Sequence, residues 1–467
     1  MAGLFRVGEK KERPGIYRRY EKTEAGKAAA AMNGVFCIPI KASFGPVGTV
    51  RTIGNKAQLF REYLSGQTLD AAEKLFDMGA NAVHVYRLGS GGKKASLEVN
   101  NTESSLVVTL STANETELPF AVTIRQQLGN AEKKECCIYN GSTLLEKVEF
   151  LASDNEIDSF VEAMKDSQYL IAEKAEGASG TLEIVNQKAL TGGTGVTVTN
   201  EDYSTAFSGF EPYRFNVLVL DTTAEEVKAV AKAFMARLYE NGGFGICVLG
   251  EDSSLSLKTR MEHARSCNAP YLVCCGSGYR NENGEEVDGY LSAAVQAGII
   301  GSQDTSKSIV HTQIPDAREC LEKFTDDQSV EAIRNGLLLL SEGPDGQVWF
   351  DSGVNTYTNL AEQDDEGWKK IKRTAVRQEA FDRINRTLEP LIGKINCDSN
   401  GVDNVIKLAK DVLDNMVLEG KILDQYEFME DPDQPHSADS AYFLIRMDDI
   451  DTLEKVYLTY QFRYAAE

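Results

Sequence analysis

Residues 215–250, FNVLVLDTTAEEVKAVAKAFMARLYENGGFGICVLG, decide the fold. They open on a short, almost wholly apolar run, Phe215–Leu220, and close on a second, Phe244–Leu249. Between them, residues 222–241 carry apolar positions at helical spacing. Thr222 or Thr223 is the expected cap, and Glu225 and Glu226 fall in the first turn, where the helix dipole favours negative charge. A strand buried on both faces reads as a continuous apolar run, and a helix between two such strands is the mark of parallel neighbours. The unit repeats downstream, with a helix over 255–266 and a strand at Tyr271–Cys275. Leu291–Ile300 is an Ala/Gly-rich helix whose small residues permit close packing. A helix at 326–335 and strands at Leu337–Ser341 and Val348–Phe350 complete an α/β core.

Upstream, Val35–Ile40 and Ala82–Leu88 read as strands flanking helices at 55–64 and 68–78. Residues 93–150 change character: Leu106–Thr109, Phe120–Ile124 and Cys136–Tyr139 are β-type runs between polar clusters. They predict an antiparallel β-rich insertion, completed by a helix at 154–166 and strands near 168–173 and 181–185. Downstream, 368–389 and 402–419 are amphipathic helices, with Gly420 as a stop. After an acidic loop at 424–440 the chain ends on Val456, Leu458, Tyr460, Phe462 and Tyr464, all on one face with period two.

The formal net charge of −22 argues against a nucleic-acid backbone as partner. No run approaches the roughly 20 apolar residues of a membrane span, so no direct membrane insertion is expected. Nor does the N-terminus read as a secretory signal. The nine cysteines form no C-x-x-C pair, and Cys37, Cys247, Cys274 and Cys275 sit in apolar runs, which suits reduced core residues. His84, His263, His311 and His436 lack metal-ligand spacing, so neither metal nor cofactor is expected.

Several segments in one order carry a resemblance: ERPGIYRRYE at 12–21, GVFCIPIKASFGPVGTVRTI at 34–53, LTGGTG at 190–195 with VTNEDY at 198–203, AAVQAGIIG at 293–301, and GVNT at 353–356 with IGKIN at 392–396. The chain resembles the phage tail sheath family, in the form common to contractile phages and phage-like bacteriocins of Gram-positive bacteria. One departure falls in the insertion. The family's Lys-Tyr-Pro-Gly segment before a Gly-Asn is represented only by Leu128-Gly129-Asn130.

The resemblance implies a fold and a function. The fold is α/β: a subtilisin-like α/β sheath core with an inserted β-rich domain, an α+β C-terminal domain and extended N- and C-terminal arms. The implied limits are an arm at 1–34, core at 35–92 and 188–360, insertion at 93–187, a tube-facing domain at 361–454 and a terminal arm strand at 455–467. The implied function is structural: stacked hexameric rings of identical subunits around an inner tail tube protein, contracting to drive the tube through an envelope. Baseplate and tail-terminator proteins are further implied partners, and the implied place is a virion or phage-like tail assembled in the bacterial cytoplasm.

Two sets of residues are candidates for that work. Ile16, Tyr17 and Tyr20 in the first arm and Val456, Leu458, Tyr460, Phe462 and Tyr464 in the last are expected to add strands to neighbouring subunits. Lys369, Lys370, Lys372, Arg373 and Arg377 belong to a basic helix in an acidic protein and are expected to meet the tube. Segment 421–455 holds ten Asp/Glu against three Lys/Arg. It reads as a solvated loop that could also pair with the basic helix.

The rival class is a cytoplasmic α/β enzyme or ligand-binding protein with a β-rich insertion. Its motifs are poor. Cys275-Gly276-Ser277-Gly278-Tyr279 fails G-x-S-x-G at both outer positions, and Gly192–Gly195 lacks the lysine of a phosphate loop. The second reads as a tight turn at a domain boundary.

Overall fold

The computed structural model describes residues 33–463, together with Gly3–Leu4 and Tyr17–Arg18. At its centre is a seven-stranded sheet in the order Leu337–Leu338, Leu272–Cys275, Ile246–Gly250, Val217–Val219, Val35–Ile40, Ala82–Arg87, Val50–Ile53. All neighbours are parallel except the last, Val50–Ile53, which runs antiparallel to Ala82–Arg87. The alternation read from 215–250 is thus the sheet's middle.

Because successive strand residues point to opposite faces, the short apolar runs supply two cores. Phe36, Ile38, Val217, Val219, Ile246 and Val248 pack on one side with the helices Leu69–Asp77 and Gly289–Ser302. Cys37, Leu218, Leu220, Cys247 and Leu249 pack on the other with Asn200–Phe210 and Glu225–Glu240. Burial pushes the thiols of Cys37, Cys247, Cys274 and Cys275 up, away from the reactive thiolate. The cap expected at Thr222 or Thr223 is not formed. The helix starts after Ala224, and Thr222 Oγ1 accepts from the Ala224 amide instead.

Small residues bring Gly289–Ser302 down onto the sheet. A Cβ on Gly301 would lie 2.6 Å from the Phe36 ring and 2.8 Å from Val217. Gly301→Ala is therefore expected to destabilise the protein by about 1–3 kcal/mol through overpacking, read as a lowered urea midpoint at unchanged slope.

Residues 96–189 form the β-rich insertion, with sheets of three and four strands. Its core gathers Val99, Leu110, Phe120, Ile124, Ile138 and Phe160. The ingoing and outgoing chains are zipped by bridges Ser90–Thr197, Lys93–Thr194 and Ser96–Thr191. The Gly192–Gly195 segment is part of this zipper, and a Cβ on Gly193 would meet the Thr116 carbonyl at 2.3 Å. Close backbone approach explains that glycine.

The chain divides into two units, Met32–Gln378 with Asp449–Glu467, and Glu379–Asp448 with Met1–Ala31. In the second, helix Ser399–Leu418 is capped by Asp398, and strands Glu427–Glu430 and Phe443–Arg446 form an antiparallel pair. The acidic stretch read as a loop therefore contains a strand. Its interior includes an ion network in which Arg383 and Lys421 share Glu379 and Glu419.

Candidate functional site

The GVNT motif builds the floor of the site. Asn355 is almost fully buried, and its amide donates to the carbonyls of Pro270 (3.0 Å) and Trp368 (2.7 Å). Thr356 bonds the Ala269 carbonyl at 3.0 Å. These bonds hold a one-turn helix, Glu366–Lys369, and the start of the long helix Ile371–Leu388 against the end of the sheet. The Ile371 amide donates to the Gly353 carbonyl.

The basic side chains of this helix start are turned onto their own chain. Lys370 lies 2.6 Å from Asp451 and 2.8 Å from Glu454. Lys372 donates to the Ile450 carbonyl. Arg373 grips both carboxylate oxygens of Asp449, with Nη2–Oδ1 at 2.9 Å. Arg377 reaches Asp449 and Asp365, each at 2.9 Å, and its guanidinium lies 4.6 Å from the Trp368 ring centre. Lys369 pairs with Glu366 at 2.8 Å.

Of the basic residues expected to meet the tube, Lys372 and Arg377 are buried in the single chain. The reason is a partner 70 to 80 positions away in sequence. Two guanidiniums need a counter-charge when water is removed, and Asp449 supplies it.

Burial alone would push the Asp449 and Asp365 carboxyls up. The hydrogen bonds and positive charges of the arginines, joined at Asp365 by the Gly367 amide, together outweigh it and hold both below the usual range. A depressed carboxyl contributes its full stabilisation above the unfolded value near ~4 and loses it as pH falls through the lowered one. The cluster therefore holds throughout the neutral range. Burial likewise opposes the Lys370 charge, and its bonds to Asp451 and Glu454 raise it nonetheless.

Beyond this anchor, residues 455–463 form no strand or helix. Val456, Leu458, Tyr460 and Phe462 are 66, 70, 72 and 94% exposed. The Tyr460 and Phe462 rings are nearly parallel with centres 6.3 Å apart, close to the two-residue rise of an extended chain. The strand expected here is not formed in the single chain, because a strand requires a hydrogen-bonded neighbour. Tyr464 lies outside the described residues, as do Ile16 and Tyr20. Tyr17 is seen in backbone only, paired in parallel with Gly3.

The rival chemistry finds little support. Ser277 is buried and its hydroxyl accepts from the Leu340 amide at 2.7 Å. Among the described residues, Glu225, Glu251 and His263 come within 4.8 Å of one another. The Lys228 ammonium already sits there, 2.6 Å from Glu251 and 2.8 Å from Glu225.

Residues 197–356 match the family described as phage tail sheath protein central domain. Over that stretch the chain is similar to the phage tail sheath family. Two Bacillus subtilis proteins are similar over most of their length. The uncharacterized protein YqbK is 24% identical, covering 83% of this chain and 81% of its own. The phage-like element PBSX protein XkdK is 21% identical, covering 84% and 82%. The sheath fold is seen directly in the sheath tail protein of Desulfitobacterium hafniense, with TM-score 0.71, 16% identity and 93% and 100% of the two chains covered. The helical sheath of the anti-feeding prophage in its contracted state superposes with TM-score 0.55, at 10% identity over 97% and 99%. The matched region runs from the end of the zipper to Thr356, so it contains four of the sheet's seven strands but neither the anchor nor the terminal segment.

Proposed function

We propose that this sheath protein polymerises as stacked hexameric rings around an inner tube and contracts to drive the tube through a target envelope. One observation carries the reading: the apolar side chains of 455–463 are left exposed on an ion-paired root, in a subunit with the sheath fold. Exposed apolar strands without a partner are an aggregation hazard. Addition to a neighbour's sheet satisfies the backbone of 455–463 and covers Val456, Leu458, Tyr460 and Phe462. Ile16, Tyr17 and Tyr20 take the same role in the first arm. The contracted sheath with a similar fold supports the contractile part of the reading, with baseplate and terminator proteins at the ends.

For the tube, the half-exposed Lys369 and Lys370 are the reachable part of the basic set. Contact by Lys372, Arg373 or Arg377 requires the anchor to open. Negative-stain microscopy of the purified protein tests the function. Straight hollow or striated tubes are expected. A uniform small oligomer under all salt conditions would overturn the reading in favour of an α/β enzyme or ligand-binding protein.

A further inference from the structure

The chain leaves the larger unit after Gln378 and rejoins it at Asp449. Those two points are where the ion cluster sits. Arg377 and Arg373, one helical turn apart on one face, both bind Asp449, the first residue to return. Every polar contact found for the next five residues beyond their own segment also goes to the larger unit. Ile450 meets Lys372, Asp451 and Glu454 meet Lys370, and Glu454 additionally accepts from Ser308 at 3.3 Å. Thr452, Leu453 and Glu454 wall an open cavity of about 620 Å³ with Lys307, Ser308 and His311.

We propose that Arg373, Arg377 and Asp449 form a staple that closes the polypeptide across residues 379–448 and fixes the root of the terminal segment to the larger unit. In sequence the terminal segment follows the smaller unit. In connectivity of bonds it belongs to the larger one. A pull on residues 455–463 then reaches the sheet through Asp449, Asp451 and Glu454 and bypasses residues 379–448. The geometry suits this duty. The Asp449 side chain is 4% exposed and the Arg377 side chain 9%, and a two-pronged guanidinium–carboxylate bond fixes direction as well as distance. Asp365 closes the network by balancing the second guanidinium.

The staple rests on the proposed function only for what pulls on the segment, so its test uses the full-length, unassembled chain. A nitroxide is placed on Leu453→Cys, an exposed position at the root, in a Cys397→Ser background that removes the exposed native cysteine. A second label on Tyr460→Cys reports the free end. At the root the spectrum is expected to be slow in the parent protein and several-fold faster with Asp449→Asn. Lys370→Gln, at a half-exposed position, loosens it without risk to the core. Glu419→Gln, which disturbs the ion network of the smaller unit, leaves it unchanged. The Tyr460→Cys label is fast throughout. A root label equally mobile in parent, Asp449→Asn and Lys370→Gln overturns the staple, and so does one mobilised as strongly by Glu419→Gln. Failure to form tubes with the root still slow bears on the proposed function alone.

Discussion

A chain lacking residues 455–467 is expected to fold, melt at the temperature of the full chain and fail to polymerise. The described part of the deleted segment makes no ladder, and its large apolar side chains are two-thirds exposed or more, so removing it subtracts almost nothing from the subunit. In a lattice the balance differs. Covering Val456, Leu458, Tyr460 and Phe462 is worth about 1.5–3 kcal/mol per side chain, before the cost of ordering the segment. Loss of even half of that, about 3–6 kcal/mol, is an affinity change of about a hundredfold or more, since each ~1.4 kcal/mol is tenfold. Sedimentation velocity and electron microscopy check the result together. Sheaths of normal length from the truncated chain would remove the terminal segment from any role in assembly.

The second large effect is expected at Arg87. It is fully buried at the end of strand Ala82–Arg87 and pairs with no carboxylate among the described residues; its guanidinium donates to the carbonyls of Ala42 (2.8 Å), Gly45 (2.5 Å) and Glu115 (3.0 Å). Burial pulls its pKa down to about 10, so it stays charged at neutral pH. Two of the carbonyls belong to the loop after the first core strand and the third to the insertion, so one side chain ties the two together. Arg87→Leu leaves three carbonyls without their donor, each costing about 1–3 kcal/mol when buried. Even at the low end of that range a total loss of about 3 kcal/mol or more is expected in urea unfolding. Arg87→Lys recovers only part, because an ammonium on a single stem cannot span the fork of a guanidinium. A loss under about 0.5 kcal/mol, the range of ordinary surface changes, would mean the three carbonyls find other donors.

The sheet was legible because a strand buried on both faces is written as an unbroken apolar word, and Val217–Val219, Ile246–Gly250 and Leu272–Cys275 are such words. The edge strand Thr143–Leu151 was not, since its charged residues interrupt the pattern wherever they face water. Helix Asn200–Phe210 also escaped notice. Its buried positions are Tyr203, Ala206, Phe207 and Phe210, diluted by serines and a glycine, although the Thr199/Asp202 capping box announced its start. The basic helix shows a different limit. Composition revealed the surplus of charge, but a pairing between Arg373 and Asp449 is a long-range contact that periodicity cannot see. The acidic bias of 421–455 was the available hint. For the terminal segment, alternation marked Val456, Leu458, Tyr460 and Phe462 as a set. Whether such a segment becomes a strand depends on a neighbour that the single chain does not contain.

The zipper at Ser90–Thr197, Lys93–Thr194 and Ser96–Thr191 has a consequence of another kind. Because the β-rich insertion departs and returns through adjacent, hydrogen-bonded chains, its two ends stay a fixed short distance apart whatever lies between them. Residues 97–190, inside the last bridge, are in that sense a cassette: they can be lengthened, trimmed or exchanged over generations while the seven-stranded sheet keeps its register. The insertion is free to diverge under selection, and the central sheet need not follow.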